Sequence, residues 1–170
     1  MTLTEIYQQY QIPPNLAQHM LLVGAVGKKV VNSWTGPSIK SKLVIATLLT
    51  HDMGNIVKFD LDSDFSKRLW YKNEQKPNLE HWKKVQTEFK QKYSANADQA
   101  NIAILKELDL PSAMVELMST HSFEKLPSLL KNQAWEDLIC LYADLRIGPH
   151  GLIPIKDRIE DLKNRYQQVD

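Results

Sequence analysis

Residues 43–54 read Leu-Val-Ile-Ala-Thr-Leu-Leu-Thr-His-Asp-Met-Gly, and the rest of the chain is interpreted around them. The first seven of these residues are apolar apart from Thr47. This pattern is typical of a helix in the centre of a domain rather than one on its surface. We predict a helix from about Lys40 to Asp52, with Gly54 as the residue that stops it.

Two metal-capable side chains, His51 and Asp52, follow the apolar run directly. Burying an imidazole beside a carboxylate is costly unless a partner compensates both groups, and a divalent cation does so well. Residues on other helices that can reach this doublet are therefore candidates for further metal ligands.

The length of 170 residues predicts one domain, spanning residues 1–170, with a substantial core. A formal net charge of +1 gives no electrostatic reason to expect a nucleic acid or a membrane as the main partner. The single cysteine, Cys140, excludes an intramolecular disulfide, and its apolar neighbours predict a buried thiol. Without a signal peptide or an apolar run of roughly 18 residues, a cytoplasmic protein is expected.

Apolar residues recur at helical spacing along most of the chain, and no run of strand length alternates. The predicted fold class is therefore all-α, a single-domain helical bundle. The expected helices cover approximately residues 4–10, 15–32, 40–52, 65–71, 79–93, 96–108, 111–121, 132–147 and 155–167. The polar segment 55–78 is expected to be mostly loop, which suits a lid or substrate loop.

Three histidines, His19, His51 and His121, fall on or beside apolar helical faces, and Asp144 lies at the edge of another. A single histidine on such a face is more often an ordinary core residue than a ligand. Three of them, together with two aspartates, favour a shared metal site. Neutral imidazoles and carboxylates suit divalent Mn, Fe, Co, Ni or Zn, and Mg is less natural with so many nitrogen ligands.

The order of these residues resembles the HD-domain phosphohydrolase superfamily. Its hallmark is a histidine, a His-Asp doublet and a late aspartate on different helices of an all-helical bundle. His19, the doublet His51-Asp52 and Asp144 match that order over about residues 15–147. The resemblance implies a metal-dependent hydrolase of phosphate esters, often nucleotides, with these four residues as metal ligands. The chemistry is coherent, because a cation activates water for attack on phosphorus and Asp52 can orient or deprotonate that water.

Some members of the superfamily add two histidines between the doublet and the last aspartate, and hold two metals. His81 and His121 stand in that interval, so the ligand set becomes six residues, with Asp52 bridging the metal pair, if both bind. The apolar face of His121 favours ligation, whereas Glu80-His81-Trp82 also reads as the solvated start of a helix. The six-ligand set also fits a di-iron enzyme performing oxidative cleavage, as in a minority of relatives.

The chain departs from the superfamily at a position that bears on substrate binding. Members with a His-Asp-x-Gly signature commonly continue with lysine, and here Asn55 stands at that position. Lys58 is a candidate for the missing cationic role. Arg146 is a second candidate, because a guanidinium binds phosphate oxygens in a bidentate fork, although an ion pair with Asp137 fits the sequence equally well.

Several loop residues carry weaker hypotheses. The carboxyl groups of Asp60, Asp62 and Asp64 could supply a proton to a leaving group, but an acidic loop is usually only solvated. His150, in the loop 148–151, could touch substrate and is more simply a loop residue.

Two other classes of protein compete with the hydrolase. One is a non-enzymatic module that keeps the helical bundle and senses a nucleotide. Loss of the His-Asp doublet would favour that module, and the doublet is intact. The other is an interaction protein in which all these polar residues are structural, which the cost of burying carboxylates without a cation disfavours.

Overall fold

The computed structural model describes residues 1–61, 78–148 and 151–166. The chain divides into two compact units, residues 1–20 with 50–119 and residues 21–49 with 120–170. The predicted helix 65–71, Asp62, Asp64 and His150 lie outside the described residues. The organisation of residues 1–170 as one domain stays a prediction.

Helices make up most of the described chain, which confirms the all-α class; the HD-type arrangement of the helices stays a prediction. They are α1 (Leu3–Gln9), α2 (Pro14–Asn32), α3 (Ser41–Leu48), α4 (Leu79–Lys92), α5 (Ala97–Glu107), α6 (Ser112–Thr120), α7 (Leu126–Lys131), α8 (Trp135–Leu145) and α9 (Ile155–Tyr166). Short 3₁₀ helices cover Asn55–Lys58 and Phe123–Lys125. Across the described ranges, every helix is too short or too polar to traverse a bilayer.

Side-chain caps explain where two of the helices begin. The Asn96 side chain accepts a hydrogen bond from the Gln99 backbone at 3.0 Å and caps α5, which begins at Ala97, close to the predicted start at about residue 96. Asn78 accepts from the His81 backbone at 3.1 Å at the start of α4. Each bond satisfies one of the amide donors that the first helical turn leaves without an intrahelical acceptor.

The first unit contains an apolar core that includes the residues directly after the doublet. Met53 and Ile56, on either side of Gly54, are fully buried in it. The core residues are Tyr7, Tyr10, Ile12, Leu16, Met20, Met53, Ile56, Val57, Val85, Phe89, Ala100 and Ile104. The segment that follows the doublet is therefore anchored by hydrophobic burial.

In the second unit, α3 packs against α8, and α8 also contacts α7. Cys140 on α8 is fully buried, as predicted, and burial raises the pKa of its thiol. Gly24 and Gly27 of α2 face leucines of the α3 segment, and a Cβ at Gly24 would meet the Leu49 side chain at 2.5 Å. Leucine side chains, which can move, therefore occupy the space next to these two glycines.

The predicted end of the central helix is wrong. Helix α3 stops at Leu48, and residues 49–54 form turns, so the doublet lies after the helix rather than in its last turn. The Asn55 backbone donates to the Asp52 carbonyl at 2.9 Å, a three-residue spacing that an α-helix does not use. His51 and Asp52 therefore lie on a turn and not on the helix.

Gly54 has a different role from the one predicted. Its φ is −83°, so it does not occupy the left-handed conformation of a helix-stopping glycine. A Cβ at this position would lie 2.5 Å from the Ala97 carbonyl oxygen and 2.6 Å from the Asn101 backbone nitrogen. Glycine is required here because the backbone of α5 passes too close for any side chain.

Other differences concern short elements. The region around Pro127, predicted as a loop, contains the 3₁₀ helix Phe123–Lys125 and α7, and α8 begins at Trp135 instead of about Asn132. A small antiparallel pair, β1 (Ile147–Gly148) and β2 (Gly151–Leu152), follows α8. Strands of two residues are too short to show the alternation from which strands are predicted.

Candidate metal site

The histidine–aspartate cluster, defined as His19, His51 and Asp52, lies within the first unit. Helix α2 supplies His19, and the turn after α3 supplies the doublet. The His51 side chain is 1% exposed, while those of His19 and Asp52 are 26% and 23% exposed. One of the three side chains is therefore buried and the other two are partly exposed to solvent.

Both imidazoles of this cluster approach one carboxylate oxygen. The Nε2 atoms of His19 and His51 lie 3.6 and 3.7 Å from Oδ2 of Asp52. The two rings are tilted by 52°, with centroids 5.2 Å apart. One ring nitrogen of His19 and one of His51 lie within 4.8 Å of each other. These distances place His19 beside the doublet, and the ligand roles of the three residues stay a prediction.

Asn101, for which no role was predicted from the sequence, contacts both ends of the segment His51–Gly54. Asn101 of α5 is 3% exposed and donates from Nδ2 to the His51 carbonyl at 2.8 Å. Its Oδ1 accepts from the Gly54 backbone at 3.3 Å. The sequence does contain a signal, since Asn101 is a polar residue next to Ala100 and one turn before Ile104 and Leu105, on the apolar face of α5.

A second couple, His121 and Asp144, lies within the second unit. His121 follows α6 and is 11% exposed, and its Nε2 lies 3.7 Å from Oδ2 of Asp144 on α8. Asp144 is 35% exposed. This distance is similar to the two distances in the histidine–aspartate cluster. The two candidate ligands that come last in the sequence, His121 and Asp144, therefore lie beside each other.

His81 and Lys58 both lie on the surface of the first unit. His81 is in the first turn of α4, with its ring edge-on to Trp82 at a centroid distance of 4.7 Å. Within the described residues, the ring nitrogens of His81 are not grouped with those of His19 and His51. Lys58 ends the first 3₁₀ helix, and Asp60, two residues later, is also exposed. The roles predicted for these three residues stay predictions.

Arg146 is held within the second unit by two hydrogen bonds. Its Nε donates to the Ile153 carbonyl at 2.6 Å, and its Nη1 donates to the Tyr142 hydroxyl at 2.7 Å. Asp137, the alternative partner considered from sequence, accepts a hydrogen bond from the Thr120 hydroxyl. The guanidinium is therefore fixed against the segment after β2, and it has further N–H groups beyond these two bonds.

The first unit carries a second polar cluster, the tyrosine–lysine cluster, defined as Tyr10, Lys92, Tyr93 and Glu107. Glu107 Oε1 accepts from Lys92 Nζ at 2.9 Å and from the Tyr10 hydroxyl at 3.3 Å. Lys92 Nζ also lies 4.7 Å from the centre of the Tyr93 ring. Burial, with the Glu107 charge nearby, raises the pKa of Tyr10 to about 12. The hydrogen bond from Lys92 lowers the pKa of Glu107.

Comparisons of the chain with protein-family models, with curated proteins and with solved structures found no match.

Proposed function

We propose that this protein is a metal-dependent phosphohydrolase of the HD type that cleaves a phosphate ester, with nucleotides as the expected substrate class. One observation carries the proposal: two imidazoles from separate segments approach the same oxygen of Asp52 at 3.6 and 3.7 Å. The order of histidine, doublet and late aspartate in the sequence supports it.

The spacing of the cluster fits a shared divalent cation. Nitrogen and oxygen ligands bind such ions at roughly 2.1 Å, so two ligands of one tetrahedral ion lie about 3.4 Å apart. The measured separations differ from that value by a few tenths of an ångström, which a small side-chain adjustment covers. Two nitrogen donors and one carboxylate favour Mn, Fe, Co, Ni or Zn over Mg.

The residues of the cluster divide the chemical work by their exposure. A bound cation would polarise a phosphoryl oxygen and lower the pKa of a coordinated water. Buried His51 supplies a fixed ligand, and partly exposed His19 and Asp52 face the side from which water and substrate arrive. The Asp52 carboxylate can use one oxygen as a ligand while the other orients the attacking water or accepts its proton.

The resemblance assigns Asp144 as the fourth ligand of the four-ligand form. The form with two metals would add His81 and His121 as ligands, with Asp52 shared between the metals. His121 lies beside Asp144, with the same 3.7 Å spacing. Lys58 and Arg146 are assigned to the substrate phosphate, because both carry a positive charge at neutral pH. The fixed guanidinium of Arg146 is suited to bind phosphate oxygens without losing much further side-chain entropy. The protein is proposed to work in the cytoplasm.

Metal content per chain, measured by mass spectrometry on protein purified without chelator, tests the proposal. About one or two equivalents of a transition metal are expected, with loss of most of it in His19→Ala and in His51→Gln. Two variants are needed because the buried His51 side chain also contributes to packing, whereas His19 is partly exposed.

His81→Ala is the informative comparison, since it removes an exposed histidine. A full wild-type metal content in this variant excludes the six-ligand form, and loss of one of two equivalents supports it. Wild-type protein that takes up none of Mn, Fe, Co, Ni or Zn would reject the metallohydrolase. A screen of phosphate esters and nucleotides with the loaded protein then defines the substrate class.

A further inference from the structure

Asn101 is a buried polar side chain whose hydrogen bonds bracket the doublet. Removing an amide from water is costly unless its donor and acceptor groups are satisfied. The Asn101 side chain meets this condition by donating to the carbonyl of His51 and accepting from the amide of Gly54. Its two partners are the first and last residues of His51–Gly54, so one side chain sets the length and direction of that segment.

Turn hydrogen bonds contribute to holding the backbone of this segment. Helix α3 ends at Leu48, and the turn bonds across residues 50–55 span three residues, one of them long at 3.4 Å. Contacts from α5 add to these turn bonds: the two bonds of Asn101 and the close approach of the Ala97 carbonyl to Gly54. Helix α5 thus contacts the backbone at both ends of the segment that carries His51 and Asp52.

We infer that Asn101 is a positioning residue for the His51 and Asp52 ligands, an inference that rests on the proposed metal site. Asn101 acts through the backbone of the doublet segment and is assigned no ligand atom. Ligand geometry is sensitive to such support, and loss of a supporting partner typically lowers metal affinity by about 10- to 100-fold. The expected effect of removing the Asn101 amide is a loss within that range.

Gln86 on α4 provides a matched control. Its Nε2 donates to the carbonyls of Ile56 and Phe59 at 2.8 and 2.7 Å, so it also supports the chain after the doublet with two side-chain-to-backbone bonds. These bonds begin two residues beyond Gly54 and do not involve His51 or Asp52. Gln86→Ala should therefore lower stability in the same way as Asn101→Ala without changing the affinity for metal.

The experiment titrates Co²⁺ into full-length wild-type protein, Asn101→Ala, Asn101→Asp and Gln86→Ala, and follows the visible absorption of the bound ion. Asn101→Asp keeps the shape and the acceptor for Gly54, but it places an oxygen against the His51 carbonyl. Both Asn101 variants should bind Co²⁺ about 10- to 100-fold more weakly with an altered spectrum, while Gln86→Ala keeps the wild-type affinity and spectrum. Wild-type binding by both Asn101 variants, or equal losses in Gln86→Ala, would overturn the inference.

A readout that needs no metal separates this inference from the proposed function. The NMR signals of the His51 ring are compared in metal-free wild-type, Asn101→Asp and Gln86→Ala proteins. If wild-type protein takes up neither Co²⁺ nor any of Mn, Fe, Ni and Zn, the proposed function fails, yet a His51 shift confined to Asn101→Asp still supports positioning by Asn101. An unchanged His51 ring in Asn101→Asp would overturn it whatever the metal titration shows.

Discussion

The two polar clusters of the first unit differ in how their charges are balanced. In the tyrosine–lysine cluster, the Lys92 ammonium lies 2.9 Å from the Glu107 carboxylate and above the Tyr93 ring, so a cation is already in place. In the histidine–aspartate cluster, two imidazoles and one carboxylate meet at 3.6 and 3.7 Å, and its members are all potential metal ligands. The first arrangement resembles an ordinary surface ion pair, and the second resembles a donor set for a cation.

The two clusters also differ in how far their side chains are buried, and the cavity beside the tyrosine–lysine cluster is small. The Lys92 and Glu107 side chains are 59% and 39% exposed, whereas His51 is 1% exposed. The residues of the tyrosine–lysine cluster line a cavity of about 190 Å³, below the roughly 300 Å³ at which small-molecule sites begin. Perturbed side chains therefore do not by themselves mark a functional site, and the type of donor and its depth are more informative.

The largest effect is expected from the carboxylate shared by both imidazoles. Asp52→Ala should lower phosphoesterase activity on the order of 1,000-fold or more and reduce bound metal, because it removes a ligand and the group that orients water. The helical circular dichroism spectrum should be retained, since Asp52 is partly exposed. Glu107→Gln is the matched control from the other cluster and should keep both activity and metal. Undiminished turnover in Asp52→Ala would contradict the site.

A smaller effect is expected from the backbone support of the doublet. Gly54→Ala should lower the free energy of unfolding by about 1–3 kcal/mol, because the added Cβ meets backbone atoms of α5 that cannot rotate away. Gly24→Ala is the control, since its Cβ meets only the movable Leu49 side chain and alanine favours the helix. Urea denaturation of both variants makes the comparison, and equal stability of Gly54→Ala and wild type would argue against the close packing.

The smallest effect is expected in the tyrosine–lysine cluster. The hydrogen bond from Lys92 holds the Glu107 pKa below its ordinary value of 4.5, so its stabilising contribution is present above that pH and is lost as pH falls through the lowered value. The difference in unfolding free energy between wild type and Glu107→Gln should stay below about 1 kcal/mol at neutral pH, because the pair is exposed.

Chemical denaturation of wild type and Glu107→Gln across acidic pH tests the direction of the Glu107 shift. The difference between their free energies of unfolding should shrink as the pH falls below 4.5. At the alkaline end, the Lys92 pKa is raised by its hydrogen bonds, so its contribution is lost only as pH rises through a value above 10.5. A difference that grows in acid would contradict the assigned direction of the Glu107 shift.

Much of the helical framework could be predicted from local patterns in the sequence. Helix α2 was expected to end at about Asn32 and does, because its apolar stripe recurs over several turns. The start of α5 near residue 96 and the burial of Cys140 were also predicted correctly, since each depends on a few neighbouring residues. His19 was expected to lie near the doublet because it falls on an apolar helical face, and it lies 3.6 Å from Asp52.

What the sequence by itself determined is therefore the helical class and the candidate ligands, because periodicity and residue chemistry are local properties. Only the tertiary structure decided where the central helix ends and how the doublet is held. The bonds of Asn101 to His51 and Gly54 join residues about 50 positions apart, and the requirement for glycine at position 54 arises from the backbone of α5. Contacts between residues so distant in the chain leave no periodic pattern in the sequence, so they become visible only once the helices have packed.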